Sequence, residues 1–220
     1  MKFILFVFAI LFTLNADAAV KVYFQDAKFP SQVMTEKQDF GTPAAAGTNE
    51  LLNAVDGPSS AAADTESTFD AQPDVPRNLV ITPGGTTTDV ESCVVVVSGT
   101  NYFDQSISEN FTFAANASSA TVGSKAFKTV SSIVFPANCE SGTFAATWSV
   151  GYGEKIGLKR CMDAAGDWVS SSVAGAYEST RATVVASASA VESNTADFNG
   201  TMNGSNSFTG YFYQNYRCNP

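Results

Sequence analysis

Few residues in this chain are placed to do chemistry. There is no histidine among its 220 residues. This excludes Ser-His-Asp and Cys-His catalysis, and with them histidine-ligated zinc. Carboxylate chemistry remains. Asp163 with Asp167, and Asp104 with Glu109, are candidate acid pairs in the C-terminal two-thirds. Paired carboxylates can cleave a glycosidic bond, but nothing in sequence converges on either pair. Asp163-Ala-Ala-Gly-Asp167 lacks the alternating acidic ligands and closing Glu of a calcium loop. The expectation is a chain without catalytic residues, metal ligands or cofactor.

Cys93, Cys139, Cys161 and Cys218 are even in number, far apart and free of any C-x-x-C pair. Zinc sites need close pairs, so disulfides are expected instead. Such bridges fit an oxidising compartment. Spacing leaves three connectivities open. Cys93–Cys139 with Cys161–Cys218 is preferred, because the second bridge would tie down the C-terminal strand. Four buried free thiols are the alternative.

The aromatic tail holds Phe208, Tyr211, Phe212, Tyr213 and Tyr216. Alternation along a strand puts Tyr211 and Tyr213 on one face and Phe212 on the other. Exposed, the two tyrosines are candidate contacts for a sugar or a protein partner. Otherwise they fill the fold and its rim. Asn-x-Ser/Thr occurs at Asn110, Asn116, Asn199 and Asn203, which matters only in a glycosylating host.

The net charge is −9 and the basic residues are scattered singly. Phosphate binding needs clustered Lys and Arg, so no nucleic-acid partner is expected. Met1-Lys2 precedes the apolar run Phe3–Leu14, and Ala16-Asp17-Ala18 follows. This is the pattern of a signal peptide over residues 1–18, cleaved between Ala18 and Ala19. The run is shorter than the ~20 residues of a membrane span, so no stable anchor is expected after cleavage.

Residues 19–73 read as an extended, flexible acidic arm. Val20–Phe24 suits a short strand, and Asn49–Val55 a helical turn or docked strand. Between Ser31 and Arg77, eight acids stand against Lys37 and Arg77. With few large apolar residues, this stretch cannot fold alone. It is a linker or an arm that orders on a partner.

Residues 74–220 read as an all-β domain, an antiparallel sandwich with immunoglobulin-like or jelly-roll-like wiring. Its centre is Val90–Gly99, where four consecutive valines favour the extended chain and suggest cover on both faces. Asn78–Thr82, Tyr102–Ala114, Thr143–Val150 and Thr180–Ser189 are further strands. Ser124–Phe135 is a strand whose Phe127, Val130 and Ile133 spacing suggests a bulge. Gly151-Tyr152-Gly153 suggests a turn or bulge. Cys161–Tyr177 reads as a loop anchored by Trp168 and Val169. Thr195–Met202 and Asn206–Tyr216 read as a closing hairpin.

Three segments carry a resemblance: Pro73-Asp74-Val75-Pro76-Arg77-Asn78, Gly123-Ser124-Lys125-Ala126-Phe127-Lys128-Thr129-Val130 and Val150–Leu158. In order and spacing they resemble a recurring kind of β-rich phage virion protein. The resemblance covers roughly Gln72–Leu158 and, more loosely, the last strands. It implies a capsid decoration, head-fibre or minor structural protein with no catalytic residues. The partner would be a capsid or tail protein lattice, reached through the N-terminal arm, and a homo-oligomer is compatible with such mounting. The localisation implied is the virion surface. The signal sequence and cysteines suggest the alternative, a secreted or periplasmic binding module, adhesin-like or carbohydrate-binding, that meets a cell-surface ligand.

Overall fold

The computed structural model describes residues 35–58, 62–141 and 145–213. The signal segment with Ala18 and Ala19, the Val20–Phe24 strand, Phe144, Tyr216 and Cys218 lie outside the described residues. In chain order the strands are β1 (Thr35–Gly41), β2 (Leu52–Asp56), β3 (Asp64–Glu66), β4 (Arg77–Gly85), β5 (Cys93–Thr100), β6 (Ser106–Phe113) and β7 (Thr121–Val122). There follow β8 (Thr129–Phe135), β9 (Ala146–Gly157), β10 (Trp168–Val173), β11 (Ala176–Tyr177), β12 (Thr183–Val185), β13 (Thr195–Asp197) and β14 (Phe208–Tyr213).

The fold is all-β, and each strand pairing is antiparallel. A six-stranded sheet runs β12-β13-β9-β4-β7, with β2 also on β9. A four-stranded sheet runs β3-β8-β5-β6. These two share one core, as a sandwich does. Leu79, Ile81, Trp148 and Val150 come from the first sheet, and Val95, Val97, Phe111, Ile133 and Phe135 from the second. Trp148 sits at its middle, edge-on to Phe113 at 4.9 Å. A third sheet, β1-β14-β10-β11, closes a second core with Ile156, Leu158 and Ala196. There Trp168 stacks on Phe212 at 5.8 Å, while Phe198 meets Trp168, Phe208 and Phe40 edge-on. The long strand β9 serves both cores.

β5 is flanked on both edges, by β6 and β8, but it is covered on only one face. Val95 and Val97 are fully buried, whereas Val94 is 39% exposed and Val96 half-buried. Four valines report β propensity here, not two-sided burial. The bulge expected in Ser124–Phe135 is present. Ser98 pairs with Ser132 and Gly99 with Val130, so Ser131 is the extra residue. Gly99 permits it, since a Cβ there would strike the Thr129 carbonyl oxygen. The strand proper begins only at Thr129, and the polar stretch Asn116–Gly123 before it contains β7.

Gly151-Tyr152-Gly153 is not a turn; β9 runs straight through it. Its glycines make room. A Cβ on Gly151 would meet Gly47 and Glu50, and one on Gly153 would meet the Asn78 side chain. The expected irregularity falls just beyond, where the β4–β9 register shifts between Leu79↔Tyr152 and Arg77↔Ile156.

Cys161–Tyr177 is not all loop. β10 and β11 form a hairpin, and Ala174 (φ 51°) and Gly175 (φ 80°) both lie in the left-handed region. That is the backbone of a type I′ turn. Trp168 anchors it in the core, but Val169 points outward. The expected closing hairpin does not form. β13 pairs with β9 and β12, and β14 with β1 and β10, so the two lie in different sheets. The Thr180–Ser189 strand shrinks to β12, a three-residue sheet edge.

The described part of the acidic arm is extended, but it is laid onto the domain. β1 pairs with β14, β2 with β9 and β3 with β8. Phe40, Leu51 and Leu52 are buried in the two cores. The stretch has too few apolar residues to fold alone, yet enough to complete sheets made by the rest of the chain. Its ordering partner is its own domain, which therefore reaches back to Thr35 instead of starting at Asp74.

Candidate functional site

The acidic candidates have structural work. Glu109 Oε1 accepts hydrogen bonds from the Ser124 amide (2.6 Å) and hydroxyl (2.8 Å). Asp104 binds Lys128 Nζ at 2.8 Å. Both acids therefore clamp the 124–128 segment to β6 and the turn before it, and they do not face each other as a pair. Asp167 accepts from the Ala164 amide at 3.0 Å and closes a short 3-10 turn. Among the described residues, no three Cys, Asp or Glu side chains converge as a metal site would require. Cys93 and Cys139 are joined in a disulfide. Cys161 is disulfide-bonded as well, and Cys218, its expected partner, lies outside the described residues.

The three segments that carry the resemblance meet at one buried side chain, Arg77. Its backbone bridges Phe127 of the second segment and pairs with Ile156 of the third. Its Nε donates to the Gly153 carbonyl and its Nη1 to the Ala44 carbonyl, both at 2.9 Å. The guanidinium lies 3.3 Å from Asp74 Oδ1 and 4.5 Å above the Tyr152 ring. Asn78 continues the lock, donating to the Gly123 carbonyl and accepting from the Lys155 amide. Burial raises the Tyr152 hydroxyl pKa, Asp74 and Glu50 add to this, and Arg77 opposes it. Arg77, Asp74 and Asn78 are thus spent on holding segments together. No family model, curated protein or solved structure matches this chain. Its functional surface must therefore be read from its own geometry.

The candidate surface is the outward face of the β1-β14-β10-β11 sheet. On β14, Phe208 and Phe212 point into the core, while Thr209, Tyr211 and Tyr213 point out. Register sets their neighbours. Tyr211 lies between Lys37 and Ser170, and Thr209 between Asp39 and Ser172. Ser172 in turn faces Tyr177 of β11. The small serines of β10 let two tyrosines meet across it. The rings of Tyr177 and Tyr211 are 6.5 Å apart and tilted by 37°. Tyr177 is 72% exposed and Tyr213 is exposed too. The face thus carries three tyrosines over a field of Ser and Thr, with its charges, Lys37 and Asp39, confined to the β1 edge. Tyr177 does not stand out in the sequence, because Cys161–Tyr177 reads there as loop and the β10–β11 hairpin is hidden. The signal was the Gly175 turn two residues before it.

Proposed function

We propose that this protein is a non-enzymatic virion surface protein, a capsid decoration or head- or tail-attached structural protein mounted through its N-terminal region. One observation carries this reading. The three segments that resemble phage virion proteins, separated by dozens of residues, are built around the single buried Arg77. The resemblance therefore lies in a buried structural frame. The absence of histidine and the structural use of the acids fit a display domain. Mounting falls to the N-terminal residues 19–34 and to β1, which stands at the edge of its sheet.

Attachment tests this reading. The chain beginning at Ala19 is expected to bind gradient-purified particles saturably, and the chain beginning at Thr35 to stay folded and bind at least tenfold more weakly. Equal binding by both would overturn arm-mediated mounting. Binding by neither would overturn the virion assignment.

A second reading, a secreted or periplasmic binding module, is favoured by the disulfides and the tyrosine face, which virion mounting does not require. It expects the chain in the culture fluid, with ligand binding lost on Tyr211→Ala and Tyr213→Ala.

A further inference from the structure

Beside the tyrosine face lies a cleft of about 390 Å³, walled by the β11 end and the Asn199–Gly200 turn. Tyr177 belongs to both: it lines the cleft and meets Tyr211 on the face. Glu178 forms the wall behind it. Its Oε1 accepts from the Asn199 amide at 2.8 Å and the Gly200 amide at 3.0 Å. Asn199 Nδ2 donates to the Thr180 and Arg181 carbonyls, so the wall is fixed from both sides.

We propose that this cleft and the tyrosines beside it bind an uncharged carbohydrate chain. The chemistry of the walls selects the class. The rings of Tyr177 and Tyr211 offer apolar faces on which the C–H face of a pyranose can lie. Ser179 and Thr180 line the cleft, and Ser170, Ser172 and Thr209 the face, all hydroxyl groups suited to sugar hydroxyls. An anionic glycan is disfavoured by the Glu178 carboxylate in the wall and by the chain's net charge of −9. A cationic ligand would call for rings enclosing it from several sides. Here two rings lie side by side on a sheet at 37°, a platform and not a cage. A few convergent polar groups beside aromatic surface are the usual make-up of a small-ligand site. The proposal deepens the second reading, the binding module, and does not depend on where the chain is displayed.

The test is native affinity electrophoresis of the full chain through gels cast with dextran, mannan, laminarin, galactomannan or, as the anionic control, alginate. Retardation is expected in at least one of the four neutral gels. Tyr177→Ala, at an exposed position, is expected to weaken it at least tenfold, while Tyr177→Phe retains it because the ring face remains. Retardation in none of the four neutral gels, or in alginate alone, would overturn the proposal. So would equal retardation of wild type and Tyr177→Ala. Displacement by choline but not by free oligosaccharide would replace the glycan with a cation. Concentration-dependent self-association abolished by Tyr177→Ala, without retardation, would assign the face to a second copy of the chain and overturn the proposal too.

Discussion

Arg77 is the residue on which most of the chain depends. Its side chain satisfies two carbonyls from segments 33 and 76 residues away. Arg77→Met keeps much of the apolar volume but leaves both acceptors unpaired. A loss of about 3 kcal/mol is expected, at roughly 1–3 kcal/mol per stranded group, read from urea unfolding midpoints. An effect under ~1 kcal/mol would contradict the hub. Glu140 is a second test at this scale. It is buried beside the disulfide, and its Oε1 accepts from the Gly57 amide at 2.7 Å and Trp148 Nε1 at 3.2 Å. Burial raises its pKa above the usual 4.5, Asp56 and Asp89 add to this, and the two hydrogen bonds oppose it. The folded state thus holds this proton more tightly than the unfolded chain. The group costs nothing below the unfolded value and becomes destabilising as pH rises through the folded one. Glu140→Gln should therefore gain stability relative to wild type between about pH 4.5 and neutrality. A pH-independent difference between the two midpoints would contradict this.

At the scale of elements, the β10–β11 turn is strained where Ala174 occupies the left-handed region. Asn tolerates that backbone better than Ala. Ala174→Asn is expected to raise stability by about 0.5–1 kcal/mol, measurable as a higher Tm. A lower Tm would mean that the turn is not of the I′ type. The Cys93–Cys139 bridge spans a sequence separation of 46. Loop-closure entropy puts its removal at about 4 kcal/mol, so Cys93→Ala with Cys139→Ala should lower the urea midpoint sharply. What was legible in sequence at this scale is what a strand writes locally. The alternation of Phe111 and Phe113, the frame-shifted spacing of Val130 and Ile133, and the valines of β5 all mark strands in the right places. What was illegible is what a neighbour decides. β10 is nearly all serine on its middle turns, because Tyr211 and Tyr177 reach across it. The glycines of β9 read as a turn, although they exist to admit Asn78 and the 47–50 segment. The partner of β14 is set by β1, more than 160 residues away, and no local pattern carries that.

For the whole molecule, the important consequence is that the acidic stretch from Thr35 belongs to the fold. Phe40, Leu51 and Leu52 are buried, and losing even one such side chain costs about 2–5 kcal/mol. A domain is stable by only about 5–15 kcal/mol. Deleting residues 19–72 should therefore unfold the protein, while deleting residues 19–34 should not, as near-ultraviolet circular dichroism of Trp148 and Trp168 will report. The candidate surface was half legible at this scale: Tyr211 and Tyr213 stand out by alternation, whereas Tyr177 and Glu178 join them only through sheet order. Display of this frame on a virus particle, as proposed, is decided by mass spectrometry of gradient-purified particles alongside the culture fluid. Peptides of Thr35–Tyr213 are expected to band with particles in constant proportion to the capsid protein. Peptides found only in the culture fluid, with none in the particle band, would contradict it.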